Sequence, residues 1–415
     1  MAEESTALPA RAAPDARNAL AGFLPRSARE ALLRLFQVID GVRIDVELPD
    51  GAMTTVGPQS AAVRTRARIN RDDFFRRLLL SGEIGVGEAW MAGDWWAEDL
   101  PLVLEHFARA RSRLEFTGPL AIFGRMIESI RHRRNANSRS GSARNIRTHY
   151  DLGNDFYRLM LDDTMSYSSA WFESPDMTLP EAQAVKNRRI IRQLGVTQDH
   201  HLLEIGCGWG GFALQAVRET GCRVTGITLS REQHAWAGRK VLEAGLSDRI
   251  DIQSLDYRDL EGRFDRIVSI EMFEAVGHEY YDAYFDAVRR VLAPGGRMVM
   301  QTITIPDPQF PAYRRGSDWI RKHVFPGSLL ASVAEVSASL ERVGGLSIVR
   351  REEMGEHYPP TLEAWRTAFH GRLDDVRALG FDDTFIRLWD YYLASCIAGF
   401  RAGVIGNVQL TLQRS

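Results

Sequence analysis

The densest run of chemistry-bearing residues is Glu204-Ile205-Gly206-Cys207-Gly208-Trp209-Gly210-Gly211. Glycines at that spacing let the main chain pass close to a ligand and take dihedrals that a Cβ forbids. A helix beginning just beyond them presents free N–H groups and a positive dipole end to an anionic group. A dinucleotide site would carry Gly-x-Gly-x-x-Gly and an acid at the end of its second strand. Here the spacing is Glu-x-Gly-x-Gly-x-Gly, and the next strand-like run ends Gly226-Ile227-Thr228-Leu229-Ser230. A tight turn is the bland alternative for such a loop, and a strand before it with a helix after it favours a ligand. Cys207, Cys222 and Cys396 are too scattered for a zinc quartet or a disulfide framework, and no His-x-x-x-His pair occurs, so no metal site is expected.

These residues need a scaffold, and from about residue 149 the pattern supplies one. HLLEIGC reads as a buried strand and GFALQAVRET as a helix; CRVTGITL, RIDIQSLD, FDRIVSI and RMVMQTITI read as further strands, with helices SREQHAWAGRKVLEAG and YYDAYFDAVRRVLA between them. Strand–helix alternation of this kind predicts a parallel α/β sheet. LSIVRREE and GVIGNVQLTLQ then fit the last strand pair of a seven-stranded sheet, with two helical stretches between them. Residues 304–330, with four prolines and several aromatics, read as an insertion beside the site. There Arg314, Arg315, Arg321 and Lys322 either face phosphate or are ordinary surface residues.

Ahead of this lies a smaller α+β unit over residues 26–130, following a Pro/Ala/Arg-rich start at 1–25 that reads as disordered. It opens with an amphipathic helix, continues with the strand VRIDVELPDG and its Pro-Asp-Gly turn, and then mixes helical periodicity with Gly-Glu-Ile-Gly-Val-Gly. Trp90, Trp95 and Trp96 are either that unit's core or an apolar surface that handles lipid or touches the second domain. Residues 131–148 hold six Arg and no acid, so they read as a basic linker or a patch for anionic head groups. With 415 residues, 45% of them hydrophobic, 26% charged and a net charge of −2, the chain is neither disordered nor collagenous, and no global field draws it to nucleic acid. No run of about eighteen apolar residues spans a membrane, and the first residues lack a secretory h-region, so a cytoplasmic setting is expected.

The Glu-x-Gly-x-Gly-x-Gly loop resembles that of class I S-adenosylmethionine-dependent methyltransferases. Longer motifs narrow the resemblance. His149-Tyr150-Asp151-Leu152-Gly153-Asn154-Asp155-Phe156-Tyr157, Met165-Ser166-Tyr167-Ser168-Ser169-Ala170-Trp171-Phe172, GITLSREQ, DYRD, FDRIVSIEMFEAVG, Tyr358 in GEHYPPTLEAW and YYLASCIAGFRAG resemble the cyclopropane fatty acid synthases over most of residues 35–410. The resemblance implies a class I methyltransferase domain over 149–415, built as a Rossmann-like seven-stranded sheet with helices on both faces. It also implies methyl transfer to the cis double bond of a phospholipid acyl chain, peripheral contact with the inner membrane surface, and a homodimer. Tyr167, Ser168, Gly206, Gly208, Thr228, Gln233, Tyr257, Arg258 and Ile270 would border S-adenosylmethionine, with Thr228 and Gln233 on the ribose and the Asp256-Tyr257-Arg258 run near the adenine. Ordinary core packing is the alternative for Tyr167 and Ile270.

The family's base is a bicarbonate held by a Cys amide, a Glu, a His and a Tyr; the matching positions are Ser169, Glu274, Gln301 and Tyr358, so two of the four depart. Gln301 keeps a donor but cannot relay a proton. Glu271 stands where relatives have Gly, and Ala275 replaces a His. Either the Glu271 carboxylate fills the bicarbonate space and acts as base or charge stabiliser, or it points to solvent or a salt bridge. A changed base also opens other products: a methylene branch or a methylated alkene instead of a ring. Two rivals remain at this level: a methyltransferase for soluble nucleophiles, and a lipid-binding protein that has lost its chemistry.

Overall fold

The computed structural model describes residues 26–110 and 152–415, and these fall into two compact units. The start at 1–25, the basic run 131–148 and the first three residues of the His149–Tyr157 motif lie outside the described residues.

The first unit runs α1 (Arg26–Leu35), β1 (Val42–Glu47), β2 (Met53–Val56), β3 (Val63–Ile69), α2 (Asp73–Met91), β4 (Trp95–Ala97) and α3 (Leu100–Ala110), with sheet order β2-β1-β3-β4. Strict alternation of buried and half-buried residues along β1 marks a sheet with one face on a core. The Pro-Asp-Gly turn closes through Gly51 at φ +83°, with the Leu48 N–H donating to the Ala52 carbonyl. The glycine-punctuated stretch is one helix broken at Gly82, where φ is 56° and ψ is −132°. Trp90 and Trp95 are buried and meet edge to face at 5.0 Å, whereas Trp96, one residue on along β4, is half-buried.

In the second unit α4 (Asn154–Arg158) and α5 (Leu179–Leu194) precede the alternation. It follows as β5 (His201–Ile205), α6 (Gly211–Thr220), β6 (Arg223–Thr228), α7 (Arg231–Glu243), β7 (Ile250–Ser254), β8 (Phe264–Ile270), α8 (Tyr281–Val291) and β9 (Leu292–Thr304). Then come α9 (Phe310–Arg315), α10 (Trp319–His323), α11 (Val333–Val343), β10 (Leu346–Glu353), α12 (Tyr358–His370), α13 (Leu373–Ala378), α14 (Asp383–Arg401) and β11 (Gly406–Arg414). The sheet has seven strands in the order β10-β11-β9-β8-β5-β6-β7. β5 to β9 pair in parallel, and β11 slots in antiparallel between β9 and β10. Side chains on the two faces feed separate cores: Leu203, Ile205, Phe273, Tyr284 and Met300 on one, Leu202, Phe212, Val224 and Val299 on the other. The sheet winds one way from β5 to β7 and the other way from β8 outward. A crevice therefore opens beyond the carboxyl ends of β5 and β8, where ligands of open α/β sheets bind. Gly206 directly follows β5, and Glu271 directly follows β8.

The 304–330 segment is packed, with Phe310, Trp319 and Leu329 buried. Arg321 departs from a phosphate-facing or surface role. It is 4% exposed, tied to Asp318 at 2.7 Å, and lies 4.2 Å over the Tyr313 ring. Arg314 donates to His278 Nδ1 at 2.7 Å. Among the described residues no helix is long and apolar enough to cross a membrane.

No atom lies within 4 Å of where a Cβ on Gly82 would stand, so substitution there meets backbone strain alone. Gly82→Ala is expected to lower the stability of the first unit by about 1–3 kcal/mol, measured by denaturant unfolding.

Candidate active site

The glycine loop turns three times through left-handed backbone: Gly206 at φ +84°, Gly208 at +52° and Gly210 at +87°. A Cβ on Gly206 would stand 2.7 Å from the Met272 side chain, while one on Gly208 would meet nothing within 4 Å. The loop is thus backed by protein on one side and open on the other, as a ligand-cradling loop requires. At the adjacent strand end Thr228 and Gln233 are both buried, and the Thr228 hydroxyl donates to Gln233 Oε1 at 2.9 Å. Past β7, Arg258 grips Asp256 through two nitrogens at 2.8 and 2.6 Å, and Tyr257 meets Tyr284 edge to face at 5.2 Å. Ile270, half-buried, ends β8.

Beneath the loop lies a knot of buried charge. Glu204 is 3% exposed, burial pushes its pKa up to about 8, and its Oε2 has no hydrogen-bond partner. Lys186, 2% exposed, is pulled down to about 8 by burial, against the pull of Glu271, Asp162 and Glu204. Its ammonium donates to Ser168 Oγ at 2.9 Å, and Gln183 donates to the Ser168 carbonyl at 2.8 Å. The Tyr167 ring sits 5.2 Å from Trp365, and its hydroxyl shares a 2.9 Å hydrogen bond with that of Tyr392. The segment carrying Tyr167, Ser168 and Ser169 is thereby held by α5, α12 and α14.

Glu271 turns inward. Its Oε1 accepts from the Ser169 N–H at 3.0 Å, Gln301 Nε2 at 2.8 Å and Asn407 Nδ2 at 2.6 Å, and its Oε2 accepts from the Tyr358 hydroxyl at 2.5 Å. The residue occupies the left-handed region at φ +48°, one of two non-glycine residues to do so among those described. That conformation costs about 1–2 kcal/mol. Hydrogen bonds to a charged group return roughly 1.5–3 kcal/mol each, so four of them outweigh the strain.

Ser169, Gln301, Tyr358 and Glu271 therefore meet at one point. Bicarbonate does not fit beside them, because the donors that would hold it are already on the Glu271 carboxylate. Glu274 is buried in the turn that follows, three residues beyond Glu271. Its Oε1 accepts from the Thr302 hydroxyl and the Ile303 N–H, and its Oε2 has no partner. Burial first, and the charge of Glu271 second, push its pKa up to about 7. Asn407 was not anticipated. Its signal was the polar period Asn407-x-Gln409-x-Thr411 inside an otherwise apolar strand.

A family model described as mycolic acid cyclopropane synthetase matches residues 137–410. The chain belongs to the cyclopropane synthase family. It is 38% identical over 383 residues to the tuberculostearic acid methyltransferase UfaA1 of Mycobacterium tuberculosis, covering 90% of this chain and 89% of that one. With the cyclopropane-fatty-acyl-phospholipid synthase of Escherichia coli K12 it shares 34% over 351 residues, 84% and 87% of the two chains. Mycolic acid cyclopropane synthase CmaA1, solved with SAH and CTAB, superimposes with a TM-score of 0.62 at 33% identity, covering 66% of this chain and 98% of that one. This cyclopropane synthase family member is an S-adenosylmethionine-dependent methyltransferase with the class I fold. The open face of the Gly206–Gly210 loop and the buried Thr228–Gln233 pair are the features that fit the cofactor.

A carboxyl whose pKa is raised on folding stabilises the native state at low pH and loses that contribution as pH climbs from its unfolded value through about 7. The Tm of Glu274→Gln relative to wild type is therefore expected to rise between about pH 5 and pH 8 in calorimetric scans. A flat difference would mean that Glu274 folds ionised.

Proposed function

We propose that this enzyme methylates the cis double bond of an unsaturated acyl chain in a phospholipid, and that Glu271 is the base that takes the departing proton. The observation that carries the reading is the Glu271 carboxylate held by Ser169, Gln301, Asn407 and Tyr358. S-adenosylmethionine, when bound, supplies an electrophilic methyl group. The alkene π pair would form the new carbon–carbon bond as the methyl carbon–sulfur bond breaks, its electrons staying on the sulfur of a neutral thioether, and this would leave a positive charge on the neighbouring carbon. Tyr358 packs 4.5 Å from Phe400, and Tyr167 packs 5.2 Å from Trp365. Such rings stabilise a cation by about 0.5–2 kcal/mol each and keep out the water that would quench it. Glu271 then accepts a proton, and its C–H electron pair closes the ring when the proton comes from the added methyl.

A second product is favoured by a specific observation. A hydride shift before proton loss gives a methylene branch with no ring, and the relative matched over 90% of this chain is named a methyltransferase rather than a cyclopropane synthase. The carboxylate in the chain, replacing a diffusible ion, supports a different site of proton loss. In the same reading the 26–130 unit handles lipid and the enzyme works peripherally on the membrane surface.

The test uses vesicles of monounsaturated phospholipid, methyl-labelled S-adenosylmethionine and bicarbonate-stripped buffer, with product lipids read by mass spectrometry. Wild type is expected to methylate the acyl chain without bicarbonate, and Glu271→Gln to lose about 100-fold or more in rate. Wild-type activity that vanishes with bicarbonate, together with a fully active Glu271→Gly, contradicts the assignment.

A further inference from the structure

Three glutamines lie in line behind Glu271, and the mechanism above uses only the first. Glu352 on β10, Gln409 on β11 and Gln301 on β9 are direct cross-strand partners, and Ile270 continues the row on β8 just before Glu271. Gln193 Nε2, from α5, donates to Gln409 Oε1 at 2.9 Å; Gln409 Nε2 donates to Gln301 Oε1 at 3.0 Å; Gln301 Nε2 donates to Glu271 at 2.8 Å. Gln301 and Gln409 are wholly buried. At the outer end Gln193 Nε2 also donates to Glu352 Oε2 at 2.5 Å, Thr411 donates to Gln193 Oε1 at 3.2 Å, and Glu352 is held by Arg189 and Arg350.

The direction of this row follows from chemistry. A carboxylate only accepts, so Gln301 must offer Glu271 its NH2 and turn its carbonyl away. That buried carbonyl needs a donor, which Gln409 supplies, and the same logic passes outward to Gln193. A second carboxylate, Glu352, anchors the far end by accepting from Gln193. Were Gln301 to turn over, its carbonyl oxygen would face the Glu271 carboxylate across a distance of hydrogen-bonding length. Aligned amides also polarise one another, so each strengthens the next donor.

We infer that Gln409, and behind it Gln193, are positioning residues that lock the Gln301 amide with its N–H on Glu271. The inference rests on the reading of Glu271 as base. The charged and titratable groups facing Glu271 are Lys186 from α5, Tyr358 from α12, Cys396 from α14 and Glu274 from the turn after β8. All of them remain in the variants below. A donated hydrogen bond favours the ionised carboxylate, so weakening it favours the protonated form, which is useless as a base. Loss of the lock therefore moves the acid limb of kcat to higher pH.

The experiment compares wild type with Gln409→Met, Gln409→Glu and Gln193→Met, recording kcat against pH and the KM for S-adenosylmethionine. In parallel, the Glu271 carboxylate is titrated by infrared difference spectroscopy, its band assigned by its loss in Glu271→Gln. Gln409→Met is expected to shift both the acid limb and the band upward by about one pH unit, roughly tenfold in rate on the acid side, with KM unchanged. Gln409→Glu, an acceptor that draws the Gln301 NH2 away, is expected to shift them further. Gln193→Met, at the outer end of the row, shifts them in the same direction by less and covers the case in which the Gln409 variants do not fold. Unshifted limbs and bands, or an equal loss of kcat at every pH with a lowered Tm, overturn the inference. A shifted band in an enzyme that stays active as Glu271→Gln supports the positioning and overturns only the reading of Glu271 as base.

Discussion

The site is organised around one carboxylate in a strained place. Glu271 sits in left-handed backbone immediately after β8, a conformation that glycine adopts freely and glutamate does not. It is kept there by donors from four separate parts of the chain: the Ser169 main chain, β9, α12 and β11. Two of those donors, the Ser169 main chain and Tyr358, stand at positions where the resemblance implies that an anion is held. Placing the anion on the chain removes its binding equilibrium and fixes its position, at the cost of backbone strain. It also obliges the surroundings to supply donors, and Gln301 on β9 and Asn407 and Gln409 on β11 are amides set among mostly apolar strand residues.

Charge balance around this carboxylate is equally constrained. Glu271, Glu274, Glu204 and Asp162 all lie within electrostatic reach of one another or of Lys186, the one fully buried ammonium among the described residues. Glu204 and Glu274 are buried and Glu271 and Asp162 half-buried, so one ammonium does not offset four carboxylate charges in a site largely removed from water. Burial favours the protonated forms of Glu274 and Glu204.

Much of the catalytic unit was legible in the sequence because its signals are local. LSIVRREE is β10 to the residue, the glycine spacing marked the end of β5, and strand–helix alternation carried the parallel half of the sheet. Ser169, Glu274, Gln301 and Tyr358 are grouped by resemblance and not by periodicity, and the sequence leaves Glu271 with an inward or a solvent-facing position. Other features depend on contacts distant in sequence. Gln193, Asn407 and Gln409 reach the site only because the last strand inserts antiparallel between β9 and β10, and no spacing rule reports which strands become neighbours. The partners of Glu274 depend on contacts of the same kind. The Ile303 N–H and the Thr302 hydroxyl compete for its carboxylate from a strand about thirty residues away. Arg321 looked like a surface cation because composition cannot show Asp318 and Tyr313 closing over it.

The central claim is that a side chain stands where the family places a free ion. Carbon-13 bicarbonate, titrated into wild type and into Glu271→Gly and followed by NMR, asks this without turnover. Wild type should show no saturable bound signal, and the glycine variant, its cradle vacated, should bind one ion. Equal, saturable binding by both proteins would contradict the account.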